Sequence, residues 1–177
     1  PREKPKILRR IVESKRRELA ELQRRVPEGE LREAVSAAPP PRDFAKALQG
    51  EPGHPVRLIA EFKRASPSKG TIRSDLTPEH VARLYREGGA AAMSVLTDAP
   101  FFAGSLDDLR AVRRAADLPI LRKDFTLGPY HVYDARAAGA DAVLLIAAIL
   151  TDEQLRELRL LAESLGMAAL VEVHNEE

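Results

Sequence analysis

Three short stretches of this sequence place ionisable side chains where an otherwise apolar strand would end. In "IAEFKRASPSKG" (59–70) Glu61 and Lys63 fall on one face of an extended segment, because side chains alternate sides along a strand, while Leu58, Ala60 and Phe62 take the other face. "PILRKDF" (119–125) repeats the arrangement with Leu121, Lys123 and Phe125, and "AALVEV" (168–173) repeats it with Ala168, Leu170 and Glu172. Two ammonium groups and two carboxylates gathered at strand ends are enough for proton transfer on a small anionic substrate. They would equally well form a buried ion-pair network with no chemistry. Lysine tilts the choice towards chemistry: arginine far outnumbers it in this chain, yet Lys63, Lys69 and Lys123 all stand at or just after strand ends. An arginine stays charged, whereas a lysine amine can shift its pKa and pass on a proton. The turn "SPSKG" offers two hydroxyls, a glycine and a cation, a set suited to a phosphate or carboxylate and equally to an ordinary turn.

Those strand ends need a frame. Five short apolar runs, at 56–63, 91–97, 119–125, 141–148 and 168–173, alternate with helical stretches, the pattern of βα units and a parallel sheet. The helices carry their own punctuation: Thr77 before Pro78, Ser105 three residues before Asp108, and Thr151 three residues before Gln154, with Gly88, Gly89 and Gly166 as stops. Ahead of this series, Ile7, Leu8, Ile11, Val12, Leu19 and Leu22 recur at near-helical spacing and predict an amphipathic helix with a solvated, basic outer face. "AAPPPRD" then interrupts the chain, and "DFAKALQ" predicts a short helix. Residues 1–50 therefore read as a helical extension and 51–177 as the βα series. Such a series winds into an open sheet or curls into a barrel.

Composition narrows the function classes. The formal net charge is +1, and the excess of basic residues at the amino terminus comes without aromatic or motif support for nucleic acid. There is no cysteine, hence no disulfide and no thiolate metal site, which agrees with a cytoplasmic protein. The longest apolar run, "AVLLIAAIL", is too short to cross a bilayer. His54, His80, His131 and His174 show no metal-ligand spacing and are expected in surface or capping roles; no metal and no cofactor is expected. Neither the Gly-x-Gly-x-x-Gly nor the Gly-Lys-Ser/Thr phosphate fingerprint is present.

Four stretches, "IAEFKRASPSKG", "SVLTDAPFFAGSLDDL", "LPILRKDF" and "ALVEVHNEE", resemble in order and spacing the indole-3-glycerol phosphate synthase family. The resemblance implies an α/β (βα)8 TIM barrel, here its first five strands, with an extra amino-terminal helical segment. It implies ring closure of 1-(2-carboxyphenylamino)-1-deoxyribulose 5-phosphate with loss of carbon dioxide and water. On matching positions, Lys123 would be the general acid at the ribulose carbonyl and Glu172 the base assisting dehydration. Lys63 would hold the substrate carboxylate and share the acid role, and Glu61 would orient both lysines. Ser66 would meet the phosphate, and Phe102 and Phe125 would wall the aromatic ring. The partner is thus a small phosphorylated substrate. A barrel of this kind typically needs about 250 residues, so strands six to eight are expected to be missing, leaving two open sheet edges suited to self-association. Two rivals stay open: a Schiff-base aldolase using Lys123, and an inactive half-barrel.

Overall fold

The computed structural model describes residues 6–50, 53, 56–72 and 75–174; His54 lies outside them. Three helices precede the first strand. α1 (Lys6–Arg25) buries Ile11 and Val12, as their spacing predicts, and also Lys15, which the spacing does not. α2 (Glu28–Ala37) begins after Pro27 and buries Leu31 against Tyr130 and Tyr133. α3 (Phe44–Leu48) starts at Asp43, whose carboxylate accepts the Lys46 N–H at 2.9 Å, and it puts Phe44 into the core.

The βα series follows. β1 (Ile59–Phe62) leads into a small hairpin, β2 (Ala65–Ser66) and β3 (Gly70–Thr71), and then into α4 (Pro78–Glu87). β4 (Ala92–Leu96) is followed by a single turn, α5 (Ala99–Phe102), and by α6 (Leu106–Ala115). β5 (Ile120–Lys123), α7 (Pro129–Ala138), β6 (Ala142–Ile146), α8 (Asp152–Ser164) and β7 (Ala168–Glu172) complete it. The caps are those the sequence predicts. Thr77, Ser105 and Thr151 each accept a backbone N–H three residues on, and Gln154 answers Thr151 in a capping box.

All five expected strands form, each shorter than its apolar run. They lie in one sheet in the order β1-β4-β5-β6-β7, with every neighbouring pair parallel. β1 starts at Ile59 because it pairs there with Ala92, the first residue of β4; upstream, Val56 and Leu58 are exposed. The run at 141–148 ends early, in a 3₁₀ turn over Ala147–Ile149. β4 and β6 are buried at every position, so both faces of the sheet are covered there, and Leu109, Val112, Val132 and Leu158 pack on it from the helices. The chain therefore has an α/β fold around a five-stranded parallel sheet. β1 and β7 are its edges, and among the described residues no strand joins them into a closed barrel.

At the amino-terminal end of the strands one carboxylate ties three segments together. Asp141, fully buried before β6, accepts the Ile120 N–H at 2.8 Å, the Arg42 N–H at 2.7 Å and the Arg113 guanidinium at 2.8 Å.

Candidate active site

At the opposite end, six of the seven expected site residues line one cleft of about 260 Å³: Glu61, Lys63, Phe102, Lys123, Phe125 and Glu172. Sheet register explains the meeting. Alternation turns Ala60 and Phe62 into the core and leaves Ile59 and Glu61 half-buried on the cleft side. Lys123 aligns with Leu96 on β4, and Glu172 with Ile146 on β6, so both charged groups emerge over an apolar floor of Leu96, Leu144 and Ile146.

Glu61 is the hub. Its Oε1 lies 3.5 Å from Lys63 Nζ and its Oε2 lies 3.6 Å from Lys123 Nζ. Ser94 Oγ donates to the same Oε2 at 3.3 Å, and the Tyr85 hydroxyl donates to the Glu61 carbonyl at 2.9 Å. One carboxylate therefore serves two ammonium groups, each about one-third exposed, which leaves their remaining N–H groups for a ligand. Glu172, on the far strand, pairs with His174 at 3.0 Å. Phe102 and Phe125 stand with ring centroids 6.2 Å apart and planes tilted by 35°, a spacing that suits aromatic packing. Ser66 is not part of the cleft lining. It is buried in the hairpin, where its Oγ accepts the Lys69 N–H at 3.3 Å.

Sequence reading missed Ser94, although its signal was available: a lone hydroxyl in an apolar run, at the register of Glu61. It also missed the layer beneath the cleft. Arg122 is buried and donates to Thr97 Oγ1 at 3.0 Å, to the His131 carbonyl at 3.2 Å and to Asp134 at 3.0 Å. Asp124 accepts from Thr97 Oγ1 at 2.6 Å and from its neighbour Phe125 N–H at 2.8 Å. Burial alone would push the Asp124 carboxyl up. Arg122 and then Lys15 outweigh it and hold the carboxyl well below the usual range. Lys15 is likewise penalised by burial, but Asp124, Asp98 and Glu18 raise it above the ordinary lysine value.

His131 sits in this layer. It takes neither of the two expected roles: it is buried rather than on the surface, and α7 has no side-chain cap at Gly128; its Nδ1 accepts instead the Leu127 N–H of the preceding loop at 3.0 Å. Burial and the nearby Arg122 and Lys15 cations, against Asp124, lower its pKa to about 3. The unfolded chain takes up a proton near pH 6.5 that the folded chain refuses, so stability is lost as pH falls below that value, by about 1.4 kcal/mol per unit. A drop of about 2 kcal/mol is expected between pH 6.5 and 5. Asp124 adds its own loss only below the unfolded carboxylate value of about 3.9. Urea titrations at both pH values check this. A His131→Asn chain, whose amide oxygen can accept the same N–H, should show a flatter slope, and an equal slope in both chains would refute the assignment.

Among the described residues, no group of three or more His, Cys, Asp or Glu could hold a metal ion, and no helix is long and apolar enough to cross a membrane. Fold and cleft together define a parallel βα protein with a cleft at the carboxyl-terminal strand ends, lined by the Glu61 and Glu172 carboxylates and the Lys63 and Lys123 ammonium groups. The model of the family described as indole-3-glycerol phosphate synthase matches residues 8–177. Curated proteins of that name from Micrococcus luteus and Roseiflexus sp. are 52% and 50% identical, over 97% of this chain and 65% of their own length. That of Rippkaea orientalis is 51% identical over 96% of this chain and 57% of its own. The chain belongs to the indole-3-glycerol phosphate synthase family, and it spans 57–65% of the length of these relatives.

Proposed function

We propose that this chain carries the acid–base half of an indole-3-glycerol phosphate synthase site. It would convert 1-(2-carboxyphenylamino)-1-deoxyribulose 5-phosphate, a step of tryptophan biosynthesis in the cytoplasm. The observation that carries the reading is the single Glu61 carboxylate lying within 3.6 Å of both Lys63 and Lys123 in a cleft walled by Phe102 and Phe125. Family membership supports it.

The substrate's ring would lie between the two phenylalanines with its carboxylate on Lys63. Lys123 protonates the ribulose carbonyl oxygen as the ring carbon bearing the carboxylate attacks the carbonyl carbon. Carbon dioxide leaves with its bonding pair returned to the ring. The new hydroxyl then departs as water, protonated by a lysine, while Glu172 takes the proton released on the other side. Glu61 keeps both ammonium groups aimed at the cleft between turnovers. Ser66 and its hairpin would approach the phosphate.

The frame we infer is a (βα)8 barrel, of which β1, β4, β5, β6 and β7 would be the first five strands and α1 to α3 an amino-terminal helical extension, with α1 reaching the loops at the carboxyl-terminal strand ends through Lys15. A chain of these five strands alone would expose both edges to a second copy. Indole fluorescence on mixing the protein with the carboxyphenylamino-deoxyribulose phosphate tests the reading. Its appearance supports synthase activity, and silence at substrate saturation overturns it.

A further inference from the structure

The geometry points to Lys15 as a positioning residue: from α1 it holds the two loops that carry the aromatic walls of the cleft, and so sets affinity for the substrate's ring. The inference rests on the synthase reading for what that ring is. Lys15 Nζ lies 2.8 Å from Asp98 Oδ1, 3.0 Å from Asp124 Oδ1 and 2.8 Å from Glu18 Oε2. Lys15 and Asp98 are almost completely buried, and Asp124 nearly so, whereas Glu18 is one-third exposed on the same helix.

Each loop carboxylate has a second bond that reaches the cleft. Asp98 accepts the Phe101 N–H at 2.9 Å as cap of the single turn α5, whose last residue is Phe102. That loop is tightly folded: Ala103 has a left-handed φ of 53°, and a side chain at Gly104 would overlap the Leu96 carbonyl. Asp124 accepts the Phe125 N–H and follows Lys123 directly. One ammonium group thus joins the loop after β4 to the loop after β5. Its removal leaves Asp98, among the described residues, with only the Phe101 N–H as donor to its buried carboxylate, where an uncompensated charge costs several kcal/mol. The loop relieves that cost by turning Asp98 towards water, which moves Phe102 away from Phe125. A misplacement on the ångström scale at a reacting site costs up to about 100-fold.

The experiment uses the full natural chain. Lys15→Met is expected to raise KM by about tenfold with a smaller change in kcat, at a temperature where circular dichroism shows the fold intact. Glu18→Gln, which leaves both loop contacts in place, is expected to leave KM within twofold of the parent. Asp98→Asn keeps the cap on Phe101 but breaks the link to Lys15; it should raise KM several-fold and carries the test should Lys15→Met not fold. These 177 residues hold no tryptophan, and Phe102→Trp places an indole emitter on the loop. Adding Lys15→Met to it should lower the anisotropy and shift emission to the red. This second readout needs no turnover, so absence of indole formation by the parent would sink the functional reading and leave the positioning claim still decided by the emitter. An unchanged KM and unchanged emission alongside a lower melting temperature would make Lys15 a structural anchor only and overturn the proposal.

Discussion

Replacing Lys123 by alanine is expected to lower kcat for indole formation by about 10²–10⁴-fold, the range that a positioned general acid supplies. The fold should survive, because Lys123 is one-third exposed and Glu61 keeps Lys63 at 3.5 Å and the Ser94 hydroxyl at 3.3 Å after the substitution. Lys123→Arg should be almost as slow: it restores the charge beside Glu61, but a guanidinium does not release a proton at neutral pH. Lys63→Ala separates the two lysines. If Lys63 holds the carboxylate, its loss raises KM more than it lowers kcat. Stopped-flow and steady-state indole fluorescence on the three chains read all of this, and full activity in Lys123→Ala would refute the assignment. Borohydride treatment with substrate addresses the aldolase alternative, since a mass adduct on Lys123 would mean covalent attack on the carbonyl instead of proton transfer.

The strands and helix caps were legible because their signals are local. Alternation over four residues decides which side of β1 bears Glu61, and a threonine three residues before Gln154 caps α8 whatever surrounds it. The cleft was legible for a related reason: parallel strands in serial order bring their carboxyl ends together, so Glu61, Lys123 and Glu172 could be placed at one rim from their positions in the three runs. What escaped is what depends on partners distant in the chain. α2 offers few apolar positions, and Leu31 becomes a core residue only through Tyr130 and Tyr133 of α7. The helical spacing of α1 gave its charges to solvent, yet Lys15 is almost fully buried because two loops far along the sequence each bring it a carboxylate. Arg122 shows the same limit. Alternation turns it away from the cleft, towards the helices, and only the fold supplies the Asp124 and Asp134 carboxylates that make its burial tolerable there.

At the far end of the sheet, Asp141→Ala is expected to destabilise the protein by about 3–5 kcal/mol, the usual consequence of removing one partner of a buried ion pair. The carboxylate receives donors from three segments that no single element connects: the Arg42 N–H ahead of α3, the Ile120 N–H at the start of β5 and the Arg113 guanidinium of α6. Alanine keeps the strand's own backbone bonds, in which Asp141 N–H donates to the Ile120 carbonyl and the Asp141 carbonyl accepts from Ala168 N–H. It orphans the two amides and leaves Arg113 with the carbonyls of Gly139 and Pro40. Asparagine should not rescue. Donors meet both carboxylate oxygens, so whichever way the amide turns, its NH₂ faces another N–H. Against a typical stability of about 5–15 kcal/mol the loss is large, and a fall of about 10 °C or more in melting temperature is expected for a chain of this size. Well below that temperature kcat and KM should stay at parental values, because Asp141 lies before β6, at the opposite end of the strands from Glu61, Lys123 and Glu172. Calorimetry and the fluorescence assay run together decide it. A loss of activity without loss of stability would break the division of labour that puts stability at one end of the strands and chemistry at the other.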